Sequence, residues 1–257
     1  MQDVVALEWT FSPRDFFEEP IHIAHENYEM IVDNGKVEAR IDPDIYDKRP
    51  DMRDELHEAL NARFLAVQLL SHTPYELSKA SMYRLHADGR KDVTVFLESC
   101  SMAAFVGTLD IVAKDRDGNV ISDSRKERLE RKKRLADLVG TLRSKDLLLA
   151  SLLTSYDRAV RDPQNELVHL YEIRDALSKR FGGESEAVTA LGISATQWSR
   201  LGQLANDEPL SQGRHRGKSV GVLRDATEAE LKEARSIALM LVEGYLQHLE
   251  QKSTNTS

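Results

Sequence analysis

The densest cluster of residues able to hold or cut a phosphodiester is Gly213-Arg214-His215-Arg216-Gly217-Lys218. An arginine fork fits phosphate oxygens, and lysine adds a point charge. A histidine among cations keeps its neutral form and can take a proton from a ribose hydroxyl near pH 7. Arg214 and His215 are therefore the candidate catalytic pair, with His169 as a candidate second acid or base. Arg214, Arg216 and Lys218, joined by Arg200 and Arg224, are the candidate phosphate contacts. The competing reading is a solvated loop between helices. Gly217-Lys218-Ser219 echoes a nucleotide-binding loop, but Gly213 stands one residue too close and no strand leads in, so nucleotide binding is rejected.

A second pattern runs through residues 184–205. A short helix reaches Leu191, Gly192 permits a tight turn, and Ser194 with Gln197 forms a capping box ahead of Trp198, Leu201 and Leu204. As a helix-turn-helix it would offer Thr196, Gln197, Ser199 and Arg200 to a DNA groove. Gln197 and Arg200 are the DNA-contact candidates. The alternative is a helical hairpin inside a bundle, with Trp198 in the core.

Three further features carry little chemistry. His22 and His25 sit three apart in a segment that reads as a strand, so they point to opposite faces and hold no metal. Seven carboxylates between Asp42 and Glu58 are interspersed with Lys48, Arg49 and Arg53, which reads as a surface loop and helix start. The single cysteine, Cys100, excludes an internal disulfide framework and a cysteine zinc site. Neither a metal nor a cofactor is expected.

The elements that must position these groups divide into two sets. Tyr28, Met30 and Val32 alternate with polar neighbours, Asp33-Asn34-Gly35 turns, and Val37, Ala39 and Ile41 alternate again, which predicts a hairpin. Further hairpins are predicted at Ala87-Asp88-Gly89-Arg90 and at Asp117-Gly118-Asn119. Leu56, Leu60, Phe64, Val67 and Leu70 recur at helical spacing. Beyond them lies a helical half. Asp162-Pro163 predicts a helix start for the stripe Leu167, Leu170, Tyr171, Ile173, Leu177 and Phe181, which Gly182-Gly183 ends. Thr227 with Glu230 caps a last helix through Leu231, Ala234, Ala238, Leu241, Tyr245 and Leu249.

The fold class is α+β: an N-terminal antiparallel β-rich module with one helix, then an all-α bundle. The modules are placed at 1–122 and 123–251, with a disordered tail at 252–257. Met1–Val5 lacks the basic start and apolar core of a secretion signal. The longest apolar stretch, Leu147–Leu153, is too short to cross a bilayer. A cytoplasmic protein without membrane contact is expected.

Leu170-Tyr171-Glu172-Ile173-Arg174, Leu204-Ala205-Asn206 and Arg214-His215-Arg216-Gly217, behind a β-rich front, resemble the HEPN-type helical domain of ApeA-like bacterial defence proteins. The similarity covers residues 145–250. It implies a helical bundle, pairing into dimers, and metal-independent RNA cleavage by an Arg and a His four to six residues apart. No histidine here has an arginine at that spacing upstream. Arg161 and His169 have seven residues between them, and Arg214 and His215 are adjacent. Either Arg214–His215 is a divergent pair or the domain is a non-catalytic relative.

The net charge of −8 is unevenly spread. Residues 1–122 hold 13 Lys or Arg against 23 Asp or Glu, whereas the remainder holds 22 against 20. A negative front repels a phosphate backbone, so nucleic acid belongs on the helical half and a protein partner on the acidic front. The run Ser124–Arg134 carries seven cations, with Glu127–Arg131 and Glu130–Arg134 spaced as helix-supporting pairs. Together these features predict a nucleic-acid-associated accessory or antiviral defence protein that binds RNA rather than cutting it. DNA reading by residues 184–205 and a non-catalytic protein-interaction module are the alternatives.

Overall fold

The computed structural model describes residues 3–49, 51–86, 88, 90–94, 112–114, 120–214 and 221–254. The chain divides into two units, one of residues 1–64 with 75–130, the other of residues 65–74 with 131–257. The division falls inside two helices, at Phe64/Leu65 and at Glu130/Arg131.

The first unit is built on β1 (Val4–Ser12), β2 (Ile21–His25), β3 (Tyr28–Asp33) and β4 (Lys36–Ile41). Two helices follow, α1 (Pro43–Lys48) and α2 (Met52–Ser71), then β5 (Glu76–Leu77), β6 (Ser81–Leu85) and β7 (Lys91–Thr94). The sheet runs β2-β3-β4-β1-β6-β7 with every pairing antiparallel, and β5 pairs the end of β1. Asn34 at φ 43 and Gly35 at φ 82 make the predicted β3–β4 turn, where both central residues need positive φ. A short second sheet joins β8 (Val112–Lys114) to β9 (Val120–Asp123). The second and third hairpins are thus present, while Ala87, Gly89 and residues 115–119 of their turns lie outside the described residues. The one helix expected here is preceded by a second. Asp42 caps α1 through its Oδ1, which accepts from Asp44 N at 2.8 Å.

The core of this unit lies between the sheet and α2. Val5, Leu7, Trp9, Val32, Val37 and Ala39 are buried from the sheet, and Leu56, Leu60 and Phe64 from the helix. Trp9 Nε1 donates to His57 Nδ1 at 3.1 Å, and the Phe64 ring stacks on Phe16 at 5.1 Å. Each fully buried side chain of this size contributes about 1.5–3 kcal/mol.

The second unit holds the end of α2, the end of α3 (Ser124–Leu142), then α4 (Leu147–Arg161), α5 (Glu166–Phe181), α6 (Glu184–Leu191), α7 (Ala195–Gly202) and α8 (Glu228–Thr254). Asp146 caps α4 by accepting from Leu149 N at 2.7 Å. Asp162 closes α4 instead of opening α5. Pro163–Asn165 form a 3₁₀ turn and α5 begins at Glu166, three residues later than predicted. Gly182 ends α5 in the left-handed region at φ 87, as its position predicts. Leu152, Tyr156, Leu170, Ile173, Leu177, Ala238, Leu241 and Tyr245 are fully buried. Tyr171 and Phe181, placed in the same stripe by spacing, are only half-buried. Gly244 lets α8 approach α6, since a Cβ there would stand 2.8 Å from Leu191 O. The last helix runs to Thr254, so residues 252–254 of the expected disordered tail are helical. No helix among the described residues is long and apolar enough to cross a membrane.

Candidate nucleic-acid interface

The helix-turn-helix segment folds as its capping chemistry dictates. Gly192 closes α6 at φ 64, and the Ser194–Gln197 capping box opens α7. Trp198 and Leu201 are fully buried, so α7 is anchored by its apolar face. Its polar face looks onto α8 across a cleft of about 680 Å³ lined by Thr196, Gln197, Arg200, Glu233, Ile237 and Met240. Gln197 Nε2 donates to Met240 Sδ at 3.3 Å. Arg200 Nε donates to Glu233 at 3.0 Å, and its Nη1 lies 3.8 Å from Glu208. Both DNA-contact candidates are therefore engaged within the unit, and a phosphate approaching Arg200 meets two carboxylates.

After α7 the chain makes a π-helical turn over Gln203–Asp207, a local insertion that displaces the following residues. The long connection to α8 is then pinned at its base. Ser211 N donates to Arg224 O at 2.9 Å, and Arg224 N donates to Pro209 O at 3.0 Å. Gln212 Oε1 accepts from Ala226 N at 3.0 Å. Gly213 passes so close to the π turn that a Cβ would stand 3.0 Å from Ala205 O, and Arg214 N donates to that same carbonyl at 2.7 Å. The backbone of Arg214 is thus fixed by a neighbouring glycine and a buried turn.

The Arg214 side chain is exposed, and its guanidinium lies 4.4 Å from the centroid of the Tyr171 ring. Among the described residues it has no carboxylate partner. Tyr171 is held in turn by Arg174, whose Nη1 donates to the tyrosine hydroxyl at 3.0 Å. Arg174 also donates from Nε to Trp198 O at 3.1 Å and from Nη2 to Glu184 at 3.0 Å. Its guanidinium stacks 4.8 Å from the Trp198 ring. One arginine thus locks the ring to α6 and α7, while the other lies upon it with no carboxylate partner among the described residues.

Of the wider patch, Arg224 is paired twice with Glu230, at 2.6 and 2.8 Å. That pairing, with the cap to Thr227, draws the Glu230 carboxyl down to about 2. Arg224 and Arg200 are both committed to carboxylates, and Arg214, among the described residues, is not. His215, Arg216 and Lys218 lie outside the described residues, and with them half of the candidate catalytic pair. His169, the candidate second acid or base, has Nε2 3.3 Å from Asp162 Oδ2 and Nδ1 3.6 Å from Glu172 Oε2.

Comparison with protein-family models, with curated proteins and with solved structures finds no match to this chain. What the site can do therefore rests on its own geometry.

The basic run of α3 is also less available than its sequence suggests. Arg128 binds Glu18 through two nitrogens, at 2.7 to 3.1 Å. Arg131 binds Glu243 twice at 2.8 Å, and Arg134 lies 3.4 Å from Glu250. Arg131 and Arg134 reach α8 rather than the Glu127 and Glu130 expected one turn away.

A second polar cluster escaped the sequence reading. Glu166 is 1% exposed and binds Arg235 of α8 through two bonds, Nε at 2.6 Å and Nη2 at 3.0 Å. His72 Nε2 lies 3.4 Å from Glu166, and its Nδ1 lies 3.4 Å from the Tyr156 hydroxyl, which donates to Leu69 O at 3.0 Å. Burial, with the Arg235 charge behind it, pushes His72 down to about 4. Burial raises Tyr156. The legible signal was spacing: Glu166 precedes Leu170, Ile173 and Leu177 at intervals of four, three and four, which puts it on the buried stripe. This cluster is enclosed and welds four helices, so its role is structural.

Proposed function

We propose that this chain is a nucleic-acid-associated protein whose helical unit binds single-stranded RNA at the loop carrying Arg214. The observation that carries the reading is an exposed guanidinium, without a carboxylate partner among the described residues, resting on a half-buried, firmly held tyrosine ring. Single strands are bound by a cation for the phosphate beside an aromatic face for the unstacked base. A duplex keeps its bases stacked and offers that ring nothing. The sequence resemblance of Leu170–Arg174, Leu204–Asn206 and Arg214–Gly217 to HEPN modules of ApeA-type defence proteins favours RNA and a defence role. His215 beside Arg214 keeps metal-independent cleavage within the proposal as a divergent activity.

The reading is tested by binding labelled single-stranded RNA and duplex DNA across a salt series, with cleavage followed in the same samples. Single-stranded RNA is expected to bind more tightly than duplex DNA, and Arg214→Ala to weaken that binding. Equal affinity of the wild type and Arg214→Ala for RNA would remove the site. A preference for duplex DNA lost in Arg200→Ala would transfer the function to α7.

A further inference from the structure

We infer that Arg214 is a placeholder on a base-stacking platform: in the free protein its guanidinium occupies the face of Tyr171 on which a nucleobase stacks. This inference rests on the RNA-binding reading and adds the order of events at that site. The guanidinium carbon lies over the ring 4.4 Å from its centroid, within the space that a base stacked on the same face would need. Base and guanidinium therefore cannot share that face.

Two observations make Arg214 the mobile member and Tyr171 the fixed one. Tyr171 stands on α5, and its hydroxyl is held by Arg174, which is bound to Trp198 O and Glu184. Arg214 has its backbone fixed to Ala205 O, yet its side chain is exposed and meets no carboxylate among the described residues. Among the described residues, nothing but the ring holds the guanidinium. Leaving the ring costs one exposed cation–π contact, which a phosphate oxygen replaces with a charge-assisted hydrogen bond. An incoming strand thus supplies both exchanges: its base takes the ring, and its phosphate takes the arginine. A free base supplies only the first, and must displace the arginine without compensation.

That asymmetry gives Arg214→Ala opposite effects on two ligands. For neutral adenosine, which has no phosphate, the substitution removes the nearer of the two guanidinium groups over the ring, Arg174 remaining at 5.2 Å, and raises affinity about two- to fivefold, the equivalent of one exposed cation–π contact. For single-stranded oligoadenylate it removes a phosphate contact, lowering affinity and making the slope of log K against log salt shallower by about 0.7. Tyr171→Ala weakens both ligands, by about fivefold or more for each stacked base. Tyr171→Phe keeps the ring and retains adenosine binding, which separates loss of the platform from loss of the fold.

The experiment is equilibrium binding of adenosine and of oligoadenylate to the full chain and these three variants, with circular dichroism for folding. Opposite shifts for the two ligands in Arg214→Ala support the placeholder. Weaker adenosine binding in Arg214→Ala, or no adenosine binding by either protein while oligoadenylate binds, overturns it and leaves RNA binding standing. Oligoadenylate binding that neither Arg214→Ala nor Tyr171→Ala changes overturns the RNA-binding reading itself.

Discussion

Acidification should destabilise the helical unit through one side chain, His72. Its ring is 18% exposed and is held below its ordinary 6.5, at about 4, first by burial and then by the charge of Arg235. Glu166, 3.4 Å away, would by itself favour the protonated ring. That carboxylate is already matched by two bonds from Arg235, so burial decides the direction. The folded value is lower than the unfolded one, so the unfolded chain binds the proton more readily between pH 6.5 and 4. Stability is therefore lost as pH falls through that window and is restored above it. At about 1.4 kcal/mol per tenfold change in binding, the full loss is about 3 kcal/mol, of which about 2 kcal/mol falls between pH 7 and 5. Asparagine is the substitution of choice, because His72 sits at φ 51 and asparagine tolerates the left-handed region. Urea unfolding of the wild type and His72→Asn at pH 7 and 5 isolates the effect, since other carboxylates titrate in both proteins. The stability difference between the two should shift by about 2 kcal/mol in favour of His72→Asn at pH 5. Parallel curves, or a wild type that gains stability on acidification, would refute the dominance of burial over Glu166.

Other substitutions probe the same interior. Arg235→Met should cost about 3–5 kcal/mol by leaving Glu166 charged and unmatched, and adding Glu166→Gln should recover part of it, read as a non-additive double-mutant cycle. Gln68 is 1% exposed, and neither its Oε1 nor its Nε2 has a partner among the described residues. Gln68→Met, of similar volume, should raise stability by about 1–3 kcal/mol in the same unfolding assay. Gly35→Ala combines φ 82 with a Cβ 2.7 Å from Arg14 Cγ and should cost about 1–2 kcal/mol, measured by thermal denaturation.

Local chemistry was legible in the sequence, and distant pairing was not. Asn34-Gly35 and the alternation around it specified β3 and β4 because turn geometry and burial are both written into neighbouring residues. The capping boxes at Ser194 and Thr227 stand as their spacing demands. The central strand β1 carries the sheet through partners far along the chain, with Val5 beside Ile41 and beside Arg84. No local pattern in Val4–Ser12 names those partners. The site shows the same division. Arg214 stood out by composition, but Tyr171 read as core because it follows Leu170 in a helical stripe. Only the packing of α6, α7 and the π turn leaves its ring at the rim, under an arginine 43 positions away.

Counts of charge along the chain overstate what a phosphate backbone can use, and this sets a limit on salt dependence. The run Ser124–Arg134 offers seven cations on paper, yet Arg128, Arg131 and Arg134 already face Glu18, Glu243 and Glu250. Arg200 and Arg224 likewise face Glu233 and Glu230. A phosphate gains little from a cation whose carboxylate it must first displace, because the freed carboxylate then repels it. In the candidate site Arg214 has no carboxylate partner among the described residues, and Arg216 and Lys218 follow it in the sequence, three cations within five positions. Each neutralised phosphate of a single strand adds about −0.7 to the slope of log K against log salt, so the whole site yields about −2. Anisotropy titrations with oligoadenylate between low and physiological salt measure this directly. A slope steeper than about −4 would need more phosphate contacts than these three cations make, and they could not then be the principal contact.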